Sequence, residues 1–355
     1  MIVTLTPNPA LDLTWHVDRI VPGGTHRADT GVARAGGKGL NVARVAHAQG
    51  APVLALVTAG GLTGAEFAAE LAASGVPHEL VPVQGATRRS IALVDEHLGD
   101  TTIVNERGVN PDPEEWDALQ AALLRALQTP VVRAPTSRLP IPEPGDLVPV
   151  AGDPVPEPVE GPGSAAPASA PETSKPVLVL SGSLPPDAPE DLLPSLIRIG
   201  RDAGAIVIAD TSGPALLAAA DAGATVLKPN VAELAEATGI ADPIAGACEL
   251  LHRGASLILL SRGADGMLAI TADEVVRARL PEPLAGNPTG AGDAAVAACA
   301  VLMAQGEKDP TALLRRATAW SAAAVLMPLA GEIHPSWPDL ETALIVDTPA
   351  LTALG

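Results

Sequence analysis

Aromatic residues are nearly missing from this 355-residue chain, which has no tyrosine, the single phenylalanine Phe67 and an aromatic content of 1%. Platforms for stacking bases are therefore not expected, and the core must be packed by Val, Leu, Ile and Ala. Basic residues are also scarce. With 22 Lys and Arg against 41 Asp and Glu, the formal net charge is −19, a field that repels phosphate backbones and argues against nucleic acid as a partner. An anionic small molecule can bind only where a few cations gather in a cleft. The two cysteines, Cys248 and Cys299, fit neither a metal spacing nor a disulfide framework, which points to a reducing compartment. No apolar run is long enough for a membrane. One charge-free run, Ala317 to Gly331, is shorter than a span and contains Pro328. The start, "MIVTLTPNPALD", lacks a basic n-region and meets proline after six residues, so a cytoplasmic protein is expected.

What is present is an alternation of short apolar runs with helix-period segments. "VLALVTAGG", "VLVLSGS", "AIVIADTS", "ATVLKPN" and "SLILLSRG" are interleaved with segments carrying Phe67 and Leu71, then Leu192, Leu196 and Ile199, then Val231, Leu234 and Ala235. Runs apolar at nearly every position suit strands covered on both faces. A three-layer α/β fold with a mostly parallel central sheet follows, with ligands expected at the carboxyl ends of its strands. Two regions, residues 10–35 and 86–107, instead alternate polar with apolar, as in "LTWHVDRI", "HRADTGVARA", "RSIALVDE" and "DTTIVNE". They predict a small antiparallel sheet with one wet face, placed to act as a lid. Residues 130–175, with Pro176, hold 13 of the 36 prolines. That composition predicts a disordered insertion.

Three constellations can carry chemistry. In "NPTGAGD", Gly290, Ala291 and Gly292 precede Asp293 at the mouth of an apolar helix. Glycines and a helix N-terminus can hold a phosphate beside an ionised carboxylate able to accept a proton, or the tetrapeptide simply caps the helix. In "ARAGGKGLNVARVAHAQG", Gly36, Gly37 and Gly39 open a second helix, with Lys38 and Asn41 as donors. The pattern is neither a Walker A loop, since Gly39 stands where Ser or Thr is required, nor a dinucleotide fingerprint. In "LKPNVAELAEATG", Asn230 and Glu233 lie one turn apart. They can orient a hydrated Mg²⁺, or the glutamate complements the helix dipole.

"TLTPNPALD", "GGKGLNVAR", "SGSLPP", "KPNVAE" and "NPTGAGD" occur in the order seen in the PfkB sugar kinases of the ribokinase-like superfamily. The chain resembles that family over nearly its whole length, apart from the proline-rich stretch and the tail, and within it most resembles the 1-phosphofructokinase and tagatose-6-phosphate kinase branch. The resemblance implies one kinase domain over 1–355, a ribokinase-like sandwich with an inserted β lid. It implies Asp293 as the catalytic base, with Gly290, Ala291 and Gly292 as the anion hole. It assigns Asp12, Gly36, Gly37, Lys38, Asn41 and Ser183 to the sugar, and Arg88, with Arg27 on the other lid strand, to a phosphate already on the sugar. Lys228, Asn230, Ser261, Gly263, Gly266 and Gly292 fall on the ATP side, and Asn230 and Glu233 on Mg²⁺. The implied reaction is ATP-dependent conversion of fructose 1-phosphate to fructose 1,6-bisphosphate. Alternatives are a tagatose-6-phosphate kinase, a 6-phosphofructokinase, or a non-catalytic sugar-phosphate sensor. A homodimer through the lid is expected, since an exposed apolar lid face favours pairing. Two positions depart from the family pattern: Ala294 after the base, and Arg262 in the nucleotide-side loop.

Overall fold

The computed structural model describes residues 1–129 and 175–349. The disorder expected for residues 130–175 therefore falls, apart from Lys175, outside the described residues. In chain order the strands are β1 (Ile2–Thr6), β2 (Ala10–Val17), β3 (Val32–Gly36), β4 (Val53–Ala59), β5 (His78–Pro82), β6 (Arg88–Asp95) and β7 (Asp100–Asn105). They continue with β8 (Val177–Ser181), β9 (Ile206–Asp210), β10 (Val226–Leu227), β11 (Leu257–Ser261), β12 (Met267–Ile270), β13 (Val275–Arg279) and β14 (Ile345–Asp347). The helices are α1 (Lys38–Ala48), α2 (Gly61–Ala73), α3 (Pro113–Gln128), α4 (Leu192–Asp202) and α5 (Pro214–Asp221). After them come α6 (Val231–Thr238), α7 (Pro243–Arg253), α8 (Ala291–Ala304), α9 (Pro310–Val325) and α10 (Trp337–Ala343).

Ten strands make the main sheet, in the order β14-β13-β12-β11-β10-β9-β8-β1-β4-β5. Every pairing from β5 to β11 is parallel, and those from β11 outward are antiparallel. The apolar runs are buried because successive side chains leave for opposite faces. Val177 and Val179 of β8 enter one core while Leu178 and Leu180 enter the other, and β11 divides likewise, Leu257 and Leu259 against Ile258 and Leu260. The first core is closed by α1, α2, α8 and α9, the second by α3 to α7. Helix α8 is buried from Asp293 to Val301. A helix apolar all round belongs in the middle of a fold, and its alanines let α1 and α9 approach it. The chain leaves β1 toward β4 on one side and returns through β8 on the other, so the β1/β8 junction is the switch point where a crevice opens.

The remaining strands form the lid, ordered β3-β2-β6-β7. Its outer pairings, β2 with β3 and β6 with β7, are antiparallel as expected, whereas β2 and β6 run parallel. The parallel pair arises because β6 arrives after the β4-α2-β5 excursion rather than from a hairpin. Only residues 32–36 of the stretch 18–36 are strand.

Candidate active site

The carboxyl ends of the parallel strands, the lid and the N-termini of α1 and α8 enclose a cleft of about 750 Å³. Four strands each deliver one polar residue to that edge. Ser181 ends β8, Asp210 ends β9, Lys228 follows β10 and Ser261 ends β11. Asp210, buried, lies 3.4 Å from Nζ of Lys38 and 3.4 Å from Nζ of Lys228, and Ser181 Oγ donates to its Oδ2 at 3.0 Å. Burial alone would raise its pKa, but Lys228, Lys38 and the Ser181 hydroxyl outweigh it and hold Asp210 below the usual carboxylate value. In return Asp210, ahead of Asp293 and Glu233, raises the Lys38 ammonium.

Asp293 lies in the first turn of α8, buried, and Asn41 Nδ2 donates to its Oδ2 at 2.8 Å. Burial first, and then the Asp210 charge, push its carboxyl up to about 7, against the opposing pull of Asn41, Lys38 and Lys228. A carboxylate poised there exchanges protons near neutral pH. The preceding turn is built from glycine for steric reasons. Gly290 has φ +85, and a Cβ on it would lie 2.8 Å from Ala330 Cα, while one on Gly292 would lie 3.1 Å from Lys228 Nζ. The Ala291 N–H donates to Pro288 O at 3.2 Å, whereas those of Gly290, Gly292 and Asp293 have no acceptor among the described residues. They are the donors at this helix start able to meet an anion.

The lid supplies the opposite wall. Register places Asp12 of β2 between Ser90 of β6 and Arg34 of β3. Burial pushes its carboxyl up to about 6, opposed by Arg88, Arg34 and Arg44 and by a hydrogen bond from Ser90. Gly36 lies against this carboxylate so closely that a Cβ would overlap it. Arg88 lines the cleft and also an adjoining cavity of about 420 Å³, together with Asn8, Arg107 and Ser183. Its Nε donates to Asn8 O at 3.2 Å, and its Nη1 to Glu106 O at 3.2 Å.

Gly37, Lys38, Asn41, Asp12, Arg88, Lys228, Asn230, Glu233, Ser261, Gly263, Gly266 and the turn from Gly290 to Asp293 all line the cleft. Ser183 lines the side cavity instead. Arg27 does neither. It is exposed in the irregular segment between β2 and β3, not on a lid strand, because the chain there forms no ladder. The second cation at the side cavity is Arg107, just beyond β7, which sequence reasoning passed over. Asn230 and Glu233 form a capping box at α6, Asn230 Oδ1 accepting from Glu233 N at 2.8 Å and Glu233 Oε2 from Asn230 N at 2.9 Å. That leaves Glu233 Oε1 and the Asn230 amide N–H groups without a hydrogen-bond partner among the described residues, and both residues line the cleft. Asp210 was also missed, although a lone carboxylate closing the apolar run "AIVIAD" was the available signal. Arg262 does not line the cleft; its N–H donates to Gly266 O at 2.9 Å and shapes the loop. Among the described residues there is no cluster of three or more His, Cys, Asp or Glu that could hold a metal, and no helix long and apolar enough to cross a membrane.

Known proteins resemble this chain over most of its length. A 1-phosphofructokinase of Haloferax volcanii is 34% identical over 355 residues, covering 98% of this chain and 97% of its own. A 1-phosphofructokinase of Xanthomonas campestris pv. campestris is 32% identical over 328 residues, covering 90% and 89%. The solved structure of Escherichia coli phosphofructokinase-2 in complex with fructose-6-phosphate superposes with a TM-score of 0.76 at 26% identity, covering 96% of this chain and 98% of that one; the tetrameric inhibited form of that enzyme gives 0.77. The model of the pfkB family of carbohydrate kinases matches residues 7–138 and 167–337, a span that holds the lid, the strand ends and the α8 turn. With its cleft, its lid and these matches in agreement, the chain belongs to the PfkB family of carbohydrate kinases.

Proposed function

We propose that this chain transfers the γ-phosphoryl group of ATP to fructose 1-phosphate, giving fructose 1,6-bisphosphate. The observation that carries the reading is the placement of Asp293. It lines one cleft with Asp12 and Arg88 of the lid, the latter shared with the arginine-lined side cavity, and with Lys228 and Ser261 at the strand ends. Arg88 and Arg107, with Ser183, grip the phosphate that the sugar already carries, since arginine's forked donors suit phosphate oxygens. Asp12 and Ser90 hold sugar hydroxyls. Asp293 takes the proton of the attacking hydroxyl, and the N–H groups of Gly290, Gly292 and Asp293 meet the charge that develops on the migrating group. Lys38 and Lys228, held by Asp210, neutralise phosphate oxygens on the path.

Mg²⁺ keeps several waters and takes few protein ligands. Glu233 Oε1, outside the capping box, fits such a hydrated ion, while Asn230 offers the cleft donors suited to a phosphate oxygen. Bound there, the ion would offset charge on the ATP phosphates. A homodimer through the lid belongs to the same reading, supported by β7, exposed along its whole length with Ile103 and Val104 half-exposed. Light scattering that finds only monomer removes it.

The second reading is a 6-phosphofructokinase, favoured by the structural match to the fructose-6-phosphate complex; a tagatose-6-phosphate kinase stands with it. The relative that is 34% identical over 98% of this chain is a 1-phosphofructokinase, and our preference follows it. Steady-state assays on fructose 1-phosphate, fructose 6-phosphate and tagatose 6-phosphate separate the three. A higher kcat/KM for either 6-phosphate overturns the choice, and no turnover of any sugar phosphate leaves the non-catalytic sensor.

A further inference from the structure

Asn41 stands in the glycine-rich stretch that the family resemblance gives to the sugar, yet its amide is engaged elsewhere. Nδ2 donates to Oδ2 of Asp293 at 2.8 Å, joining the first turn of α1 to the first turn of α8. The Asn41 backbone is itself fixed, its N–H donating to Gly37 O at 2.9 Å, so the side chain projects from a formed helix rather than from a loop. Behind it the turn at Gly331 closes in. Gly331 has φ +82, and a Cβ there would come within 3.2 Å of Asn41 Oδ1 and 3.1 Å of Arg44 Cδ. Arg44 is in turn buried and held, donating to Glu70 Oε2 at 2.8 Å and to Ala35 O at 3.1 Å. Glycine at 331 leaves just enough room for the amide beside the carboxylate, and turning the amide away would break its hydrogen bond to Asp293.

We propose that Asn41 is a positioning residue for the base: its amide pins one oxygen of the Asp293 carboxylate so that the other is presented to the hydroxyl that attacks. This deepens the kinase reading and rests on Asp293 being the base. A carboxylate free to turn about its last bond is productive in only part of its range, and holding Oδ2 removes that freedom while leaving Oδ1 open. A hydrogen bond to the charged form also keeps it ionised. The charged groups facing Asp293 are Lys38 from α1 and Lys228 beyond β10, which favour ionisation, and Asp210 at the end of β9, which opposes it. Asn41 works with the lysines and, being neutral, adds no charge that would compete for the phosphoryl oxygens.

The test is the pH dependence of kcat, at saturating fructose 1-phosphate and ATP, for the wild type, N41A and N41S. Losing the donor raises the proton affinity of Asp293, so the acid limb moves to higher pH by about half a unit to one unit. At pH 7 kcat falls roughly ten- to hundredfold, while KM for the sugar phosphate changes by less than about threefold. In a D293N background the same substitution lowers kcat by less than about threefold, since residues acting as a unit are not additive. An acid limb that stays in place with a raised KM, or an equal loss of kcat in both backgrounds, overturns the proposal and returns Asn41 to sugar binding. N41S answers the same question if N41A does not fold. Undiminished turnover of D293N alone is a different failure, which removes Asp293 from the role of base and leaves the Asn41 contact structural.

Discussion

Replacing Asp293 with asparagine should silence the enzyme and stabilise it. The wild-type carboxyl is pushed from 3.8 up to about 7 by burial and by Asp210. Between those values the folded chain holds a proton that the unfolded chain has released, so wild-type stability falls as pH rises through this window and levels off above about pH 7. The amide of D293N is neutral throughout, and its carbonyl oxygen can still accept from Asn41. At about 1.36 kcal/mol per pH unit, D293N is more stable by about 4 kcal/mol at pH 8, and the advantage vanishes near pH 4. With an unfolding entropy of about 2.1 cal/mol/K per residue, that gain raises Tm by roughly 5 °C. Turnover falls by about two to four orders of magnitude, the usual loss of a general base. The assay is thermal unfolding of both proteins by circular dichroism at pH 5 and pH 8 without ligand, beside initial rates at pH 8. A Tm difference that is the same at both pH values, or a D293N protein that melts lower at pH 8, refutes the reasoning, because a burial penalty on a carboxylate must grow as that group ionises.

The other predictions concern the groups around the base. D210N leaves the buried Lys228 without its counter-charge and should cost about 3 kcal/mol of stability; it also moves the acid limb of kcat to lower pH, opposite to N41A, and a limb that stays put would disconnect Asp210 from Asp293. G36A forces the Asp12 carboxylate aside and should raise KM for the sugar phosphate about tenfold or more with KM for ATP little changed; equal rises in both constants would place Gly36 outside the sugar wall. R107A should weaken sugar phosphate by about 2 kcal/mol, seen as a rise in KM that added guanidinium partly offsets; an unchanged KM would leave Arg88 and Ser183 alone at that cavity. E233Q should increase the Mg²⁺ concentration needed for half-maximal rate, and an unchanged Mg²⁺ dependence would remove Glu233 as its holder.

What could be read in the residues was whatever is decided within a few positions of chain. The doubly apolar runs announced strands covered on both faces, since burial follows directly from period-2 alternation between two cores. The turn before Asp293 announced a helix start, because Gly290 needs the left-handed region and Gly292 gives way to a lysine. The pair Asn230 and Glu233 was legible as a helix start or an Mg²⁺ pair, and only geometry shows that the two form a capping box on α6. The lid strands could be seen by their alternation, but not that β2 and β6 lie parallel, because pairing direction depends on the path between them.

Tertiary structure alone decided which charges meet. Lys38, Asp210 and Lys228 are far apart in the chain and adjacent in space only because α1 starts, and β9 and β10 end, at one edge of the sheet. No local pattern could have chosen Arg107 over Arg27, since both are arginines near lid strands and only folding puts one against the cavity. The high proton affinity of Asp293 is likewise a property of the packed molecule. A carboxylate in an exposed first turn would ionise as usual, and it is the packing of α1, α9 and the strands β1, β8 and β9 around α8 that withdraws water from it.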